Sequence, residues 1–433
     1  MGTTRPDGRR DHPALTLGSA RAFVDADRRQ PMSRRVVVAG GSLAGLATVE
    51  ALRKNGYTDA ITVLSQERAL PYDRPPLSKQ ILKGEWTTEK IRLRSPEQLE
   101  ALDVDWRAGV GASSLDLAAQ EVTGSDGIPV HFDDLVVATG TRPRTLPGPD
   151  LAGVYTLRTV DDALALRAEL RPGARAVIIG AGFIGAEVAY AALGVGMQVS
   201  VIERMSLPLE EKLGPLVGGF CSDLLRRHGA DLRCGVGVNA FEGDGERVRR
   251  VLLSDGSILD ADVVVVGIGA VPNTEWLGSE LPVENGLLCD SYCSAAPGIW
   301  GAGDVARWTN PLFGRRMRIE HLTNAREQAA VVAHNLLTTE TERKPYAPVP
   351  YFWSDQFGTR LQFFGHSTPT DEIHVIAGNP EDSSSRTPFI ALFERDGVIV
   401  GAFGADASRQ LIRYRGLIAD AKPIDAALGL APV

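Results

Sequence analysis

No cysteine occurs before residue 221 of this 433-residue chain. The four present are Cys221, Cys234, Cys289 and Cys293, with no C-x-x-C pair and no histidine cluster beside them. Such usage argues for a reduced, cytoplasmic protein with buried thiols rather than for a disulfide frame or a metal centre. Cys289 and Cys293 fall in a Ser-Ala-Ala-Pro-Gly neighbourhood that reads as solvent-prone. Long apolar runs are also lacking: none approaches the ~18–20 residues that span a bilayer, so no membrane role is expected. Positive charge is in deficit, with 46 Lys and Arg against 54 Asp and Glu and a net charge of −8. No global excess of cations is available to meet phosphates, which excludes nucleic acid as the main partner. Residues 1–33 lack the apolar middle of a secretory signal and read as a disordered tail. Met32, just ahead of the first strand, is a second candidate translation start.

What remains is ordinary for a soluble enzyme: 44% hydrophobic and 23% charged residues. The length implies about two to four domains. Residues 35–54 run from a β-branched strand through Gly40, Gly41, Ser42 and Gly45 into an amphipathic helix. The next strand (61–67) ends on Glu67. This is a dinucleotide-binding βαβ pattern. Glycines let the backbone approach a pyrophosphate seated on the helix N-terminus, and the carboxylate receives ribose hydroxyls. Ser42 replaces one glycine of G-x-G-x-x-G, and its hydroxyl is short enough to reach a phosphate. Residues 175–204 repeat the pattern with Gly180, Gly182 and Gly185 complete and Glu203 ending the second strand. One such turn is compatible with a strand–helix junction that binds nothing. Two copies, each with strand, turn, helix, strand and acid, predict two dinucleotides. Glu203 favours NAD over NADP, because a carboxylate repels a 2′-phosphate; Arg204 beside it is the counter-signal.

Three further strands end on small residues: 131–143 closing on Ala138-Thr139-Gly140 and Arg142, 261–273 closing on glycines, and 298–306 presenting Asp304. The last hundred residues change character. Segments 350–364, 372–377, 389–394 and 398–403 predict four or five antiparallel strands with polar turns such as Arg395-Asp396-Gly397, followed by helix over 407–428. The fold class expected is α/β, with two Rossmann-like dinucleotide-binding domains and a C-terminal α+β domain.

At these motifs the chain resembles the two-dinucleotide flavoprotein reductases, the glutathione-reductase-like family. The resemblance implies an FAD domain split over 34–146 and 264–335, an NAD domain at 147–263, and a C-terminal domain at 340–433. It places Asp304 on the FAD ribityl chain, where a plain helix N-cap is the alternative. Disulfide reductases of this superfamily keep a redox thiol just after the first βαβ unit. Here that position holds L-P-Y-D-R-P-P-L-S-K-Q-I-L (70–82), without cysteine.

The segments PYDRPPLSK, RIEHLTNAREQA (318–329) and PYFWSDQF (350–357) resemble a narrower branch. These are the single-component FAD/NADH ferredoxin reductases of the putidaredoxin reductase, rhodocoxin reductase and aromatic-dioxygenase type. The resemblance implies hydride transfer from NADH to FAD, then single-electron transfer to an iron–sulfur ferredoxin serving a cytochrome P450 or a ring-hydroxylating dioxygenase. Alternatives are a flavoprotein reductase of rubredoxin or monodehydroascorbate, or an NADH-binding protein like the apoptosis-inducing factors.

Carried over residue by residue, Lys79 sits near the flavin and pairs with Glu187; both are the catalytic candidates. Pro75 and Pro76 predict a helix start, which puts Lys79 in a first turn where the dipole disfavours a cation. A solvated lysine is the alternative there. Ala44 and Ala112 are expected to approach FAD through their backbone, and Arg142 to contact it. Glu320, His321 and Leu322 precede a helix whose N-terminus faces the flavin. Leu322 stands where several relatives carry tryptophan. Arg74, Ala138, Gly140, Ile184 and Gly269 complete the expected cofactor-binding set. Trp353 is assigned either to the flavin or to the core. Arg307, Arg315, Arg316 and Arg318 form a basic patch in an acidic chain, the expected docking site for an acidic ferredoxin, with a solvated hairpin as the alternative.

Overall fold

The computed structural model describes residues 34–381 and 388–430. The expected tail at 1–33 and the second start at Met32 lie outside the described residues.

Two sheets organise the first three quarters of the chain, both parallel except for an antiparallel edge strand, Ser294–Ala296, on the first. In the first, Val36–Ala39 is central, flanked in parallel by Ile61–Ser65 and Asp134–Val137. Asp105–Ala108 extends one side, and Ile299–Gly301 the other. The second sheet runs Asp231–Cys234, Gln198–Glu203, Arg175–Ile179, Val263–Val266 and Val154–Tyr155, all parallel. Every residue of Val36–Ala39, Asp134–Val137 and Val263–Val266 is buried. That follows from the sequence, because a parallel strand covered on both faces needs an unbroken β-branched run rather than alternation. Ile299–Gly301 joins the first sheet from far along the chain. The expected boundary between 263 and 264 falls inside the strand Val263–Val266, which lies wholly in the second sheet.

Each sheet feeds a helix through a glycine turn. Gly40 has φ +121°, and a Cβ there would meet the Ala138 carbonyl oxygen at 2.1 Å. A Cβ on Gly45 would lie 1.8 Å from Gly40 O, and one on Gly185 would lie 2.0 Å from Gly180 O. The helices Leu43–Lys54 and Phe183–Gly194 can sit this close to their strands only because no side chain intervenes.

The C-terminal domain is a five-stranded antiparallel sheet in the order Tyr351–Gln356, Thr359–Gly365, Val398–Ala405, Phe389–Arg395 and Glu372–Ala377. One face packs on its own helix Ser408–Ala419 through Leu411, Tyr414 and Ile418. The other packs on Glu210–Arg227, a helix of the second parallel unit, through Val217, Phe220 and Cys221. The single helix expected over 407–428 is two, Ser408–Ala419 and Ile424–Leu428, with Pro423 as the N-cap of the second. A proline there cannot continue the first helix.

Cys289 and Cys293 correct the solvent-prone reading. Both are buried, with Cys289 on a strand and Cys293 held at 0% exposure behind the first sheet. All four cysteines are free thiols.

The close approach at the second glycine turn predicts that Gly185→Ala destabilises the protein by about 1–3 kcal/mol, since the obstructing atom is backbone and cannot swing away. Urea denaturation measures this; a variant as stable as wild type would contradict it.

Candidate active site

A cavity of about 660 Å³ opens beyond the ends of the two parallel sheets. That is within the range of ligand-binding clefts. Its wall is drawn from all three parts of the fold: Ser42, Ala44 and the Tyr72–Lys79 stretch, then Phe183, Ile184 and Glu187, then Phe352, Trp353 and His366.

The stretch 70–82 is not the α-helix its prolines predict. Pro75–Ser78 forms one 3₁₀ turn, and Lys79 ends it at φ −122°, ψ −99°. Lys79 therefore stands at the C-terminal end of a short turn, where a cation is not opposed by a dipole. The backbone pairs with 91–93 through Asp73 N to Ile91 O and Leu93 N to Pro71 O. Tyr72, Leu77 and Ile81 bury against Val160 and Ala163. These anchors fix the turn and aim Lys79 at Glu187. Lys79 Nζ lies 2.7 Å from Glu187 Oε2, with side-chain exposures of 12% and 3%. Lys79 Nζ also donates to Pro75 O, and Ser78 Oγ donates to Glu187 Oε2. A solvated lysine is thereby ruled out.

Asp304 follows Gly303 in a 3₁₀ turn and lines the cavity. Its carboxylate accepts from Arg158 Nη2 at 2.9 Å. Arg158, absent from the expected set, also lines the cavity, and its carbonyl accepts from Arg74. No sequence signal marks it, because its partner is 146 positions away. Behind the turn, Gly303 N donates to the fully buried Gln328, which donates in turn to Cys293 Sγ. Glu67 accepts from Arg74 Nη2 at 2.5 Å and from the Tyr72 hydroxyl, while Arg74 also reaches Ser42 Oγ at 3.3 Å. Ser42, Glu67 and Arg74 thus form one polar cluster, and Tyr72 is its unforeseen member.

Glu320, His321 and Leu322 reach the cavity at the start of the helix Leu322–Leu337. His321 is its N-cap, makes no side-chain capping bond, and leans on Phe352 with ring centroids 5.3 Å apart. Burial pushes the His321 imidazole down from 6.5 to about 4; the Asp304 carboxylate opposes this and Lys212 adds to it. Trp353 lines the cavity, and Ala138 and Gly140 complete the floor.

Other expected residues stand apart. Arg142 is not on the cavity wall; it pairs with Glu275 at 2.5 Å and reaches Asn273. Ala112 begins the strand Ala112–Asp116, and Gly269 precedes Ala270–Pro272; neither lines the cavity. In the basic patch, Arg307 pairs with Glu284 and Arg318 with Glu320. Arg315 and Arg316 are exposed on a hairpin strand, and no ion pair among the described residues engages them.

The glycine turns fit two dinucleotides. The helices Leu43–Lys54 and Phe183–Gly194 both begin with no side-chain capping bond and no acidic residue in the first turn. Their first amides are therefore free for an anion. A Cβ placed on Gly182 would meet nothing within 4 Å, which leaves open space over the second helix. Beside it, Glu203 accepts from Ala181 N at 2.8 Å and Met205 N at 2.9 Å, which fixes a partly exposed carboxylate at the strand end.

Residues 34–329 match the pyridine nucleotide-disulphide oxidoreductase family, and residues 351–431 match the reductase C-terminal domain. Rhodocoxin reductase of Rhodococcus erythropolis is 34% identical over 393 residues, covering 90% of each chain. The ferredoxin–NAD(+) reductase component of the anthranilate 1,2-dioxygenase system of Burkholderia cepacia is 37% identical over 391 residues, 88% of this chain and 93% of its own. A chain of the covalent putidaredoxin reductase–putidaredoxin complex superposes with a TM-score of 0.85 at 33% identity, covering 92% of this chain and 95% of that one.

The depressed His321 predicts a pH effect of definite sign. Between about pH 6.5 and about 4 the unfolded chain binds a proton at this residue and the folded one does not, so its contribution to stability falls as pH falls and levels off below. His321→Gln should therefore gain stability relative to wild type across that window. Urea midpoints at stepped pH measure the difference; a pH-independent difference would contradict the assignment.

Proposed function

The chain belongs to the pyridine nucleotide-disulphide oxidoreductase family, and from that premise we propose that it is an NADH-dependent ferredoxin reductase. The observation that carries this reading is the wall of the cavity. No cysteine lines it, and the stretch where a disulfide reductase would hold its thiol presents the buried Lys79–Glu187 pair instead. The similarity to ferredoxin reductases over nearly the whole chain supports the same conclusion.

FAD, when bound, supplies chemistry that no side chain can: taking a hydride from a reduced nicotinamide and giving electrons out one at a time. The chain's own residues bind, orient and tune. Gly40, Ser42 and Gly45 leave the first helix N-terminus open to one pyrophosphate, and Gly180, Gly182 and Gly185 leave the second open to another. Glu67 and Glu203 are the carboxylates for ribose hydroxyls. Asp304, steadied by Arg158, is the acceptor on the wall between them. Lys79 keeps a positive charge at the reacting cavity, and Glu187 offsets its desolvation. The pre-bonded Glu203 carboxylate supports NADH over NADPH. The domain division follows the sheets, with FAD at 34–146 and 267–335 and NAD at 147–266.

The acceptor is an acidic iron–sulfur protein serving a cytochrome P450 or a ring-hydroxylating dioxygenase. Arg315 and Arg316 form the docking patch. Their hairpin adjoins the cavity, since Phe313 packs against the cavity-lining His366, whose imidazole is held below its usual range by burial and, secondarily, by the Arg315 charge. The purified protein should oxidise NADH with a ferredoxin plus cytochrome c as acceptors, and faster than it oxidises NADPH. Turnover with ferricyanide but with no ferredoxin tested would overturn the acceptor assignment.

Lys79→Met leaves Glu187 as an uncompensated buried charge. It should cost about 3–5 kcal/mol of stability and slow flavin reduction by NADH. Stopped-flow reduction at the wild-type rate would overturn the role of Lys79. Arg315→Glu with Arg316→Glu should raise the ferredoxin KM and weaken its dependence on salt, while turnover with ferricyanide stays unchanged. A ferredoxin KM and salt slope like those of wild type would remove the patch from the interface.

A further inference from the structure

The segment PYFWSDQF carries an arrangement that the reading above does not use. Ser354 and Gln356 lie two apart on the strand Tyr351–Gln356 and therefore share a face. Both are buried, at 0% and 1% exposure. Ser354 Oγ donates to Glu187 Oε1 at 2.5 Å. Gln356 Nε2 donates into the same Ser354 oxygen at 3.0 Å. That second bond occupies a lone pair of the hydroxyl, so its proton is directed at the carboxylate. The two oxygens of Glu187 are thereby divided. Oε2 takes Lys79 and Ser78 from the first parallel unit. Oε1 takes Ser354 from the C-terminal domain, 167 positions from Glu187.

We propose that Ser354 is a positioning residue for the Lys79 charge. It fixes the plane of the Glu187 carboxylate, and the carboxylate in turn holds the Lys79 ammonium at the cavity wall. Without Ser354, Oε1 is a buried acceptor with no other hydrogen-bond partner among the described residues. The carboxylate then turns to share Lys79 and Ser78 between its two oxygens, and the ammonium moves with it. The C-terminal domain thus sets the electrostatics of a cavity to which it also supplies wall. The inference rests on the ferredoxin-reductase reading and on the placement of Lys79 beside the flavin.

The test compares Ser354→Ala, Ser354→Thr, Lys79→Met and the Lys79→Met/Ser354→Ala double variant, each as FAD holoprotein. Three quantities are read: the rate of flavin reduction by NADH, the midpoint potential of the bound flavin, and the melting temperature. Ser354→Ala should slow reduction roughly tenfold, the scale of one lost hydrogen bond to a charged group, and lower the potential. Ser354→Thr, which keeps a hydroxyl on a strand, should restore both. In the Lys79→Met background, Ser354→Ala should change neither further, because its effect runs through the lysine. A Ser354→Ala variant that loses only melting temperature, with rate and potential at wild-type values, would reduce Ser354 to a structural tie and overturn the proposal. So would an equal effect of Ser354→Ala with and without Lys79. If Lys79→Met itself leaves rate and potential untouched, the Lys79 reading fails and this inference with it; if Lys79→Met is slow and Ser354→Ala is not, this inference alone fails.

Discussion

A carboxylate buried to 3% exposure needs compensation for every lone pair it has taken out of water. Glu187 meets that need from two other parts of the fold. The ammonium and one hydroxyl come from the turn after the first parallel unit, the carboxylate from the second, and another hydroxyl from the C-terminal sheet. No one of these parts can satisfy the group alone. The mutual placement of the parts is therefore tied to a single polar junction as much as to the apolar contacts around it. Those contacts are extensive: the helix Glu210–Arg227 packs a row of apolar residues onto the C-terminal sheet. Apolar burial is tolerant of small slides, however, whereas a bonded carboxylate is not. The junction gives the cavity a fixed shape.

The net charge of −8 looks at odds with a chain that holds two polyanionic cofactors. Helix N-termini resolve the conflict. Each glycine-turn helix begins with uncapped amides, and each leaves its first turn free of Asp and Glu. The attraction is local and oriented, so it needs no excess of Lys or Arg. The two acids proposed for ribose lie away from the first helical turns, Glu203 at the end of its strand and Glu67 just beyond the strand Ile61–Ser65. The acidic balance is then free to govern the rest of the surface, and the exposed Arg315 and Arg316 stand out against it.

The local and periodic features were legible in the sequence. Unbroken β-branched runs announce parallel strands, glycine spacing announces close helix–strand approach, and alternation announces the C-terminal sheet. The helix expected from Pro75 stops early for a specific reason. Two prolines preset φ for a helical start, but they say nothing about how long the helix lasts, and here it ends after one 3₁₀ turn. The burial of Cys289 and Cys293 is hidden in the sequence because a small and proline-containing stretch resembles a loop, while both thiols pack in the core of the first sheet. Arg158, Tyr72 and Ser354 were invisible for another reason. Each matters through a partner that only the folded chain brings near, and no spacing rule reaches across 146 or 167 positions. Arg142 sits at the expected motif position, and its side chain pairs with Glu275.

The contrast between lysine and cysteine at the cavity carries the last step. A thiol beside the reacting centre offers electrons a covalent exit, through exchange with a disulfide. Lysine offers none; it can hold charge but cannot be oxidised in such a cycle. The thiols this chain does possess are removed from that role twice over. They do not line the cavity, and burial pushes Cys221 and Cys293 up to about 12, which keeps them protonated. On the ferredoxin-reductase reading, electrons gathered in this cavity pass directly to a carrier that docks nearby and departs. That requirement ties a buried ion pair to an exposed surface. The same replacement that removes the covalent route calls for a docking face, and the exposed Arg315 and Arg316 are the residues proposed for it.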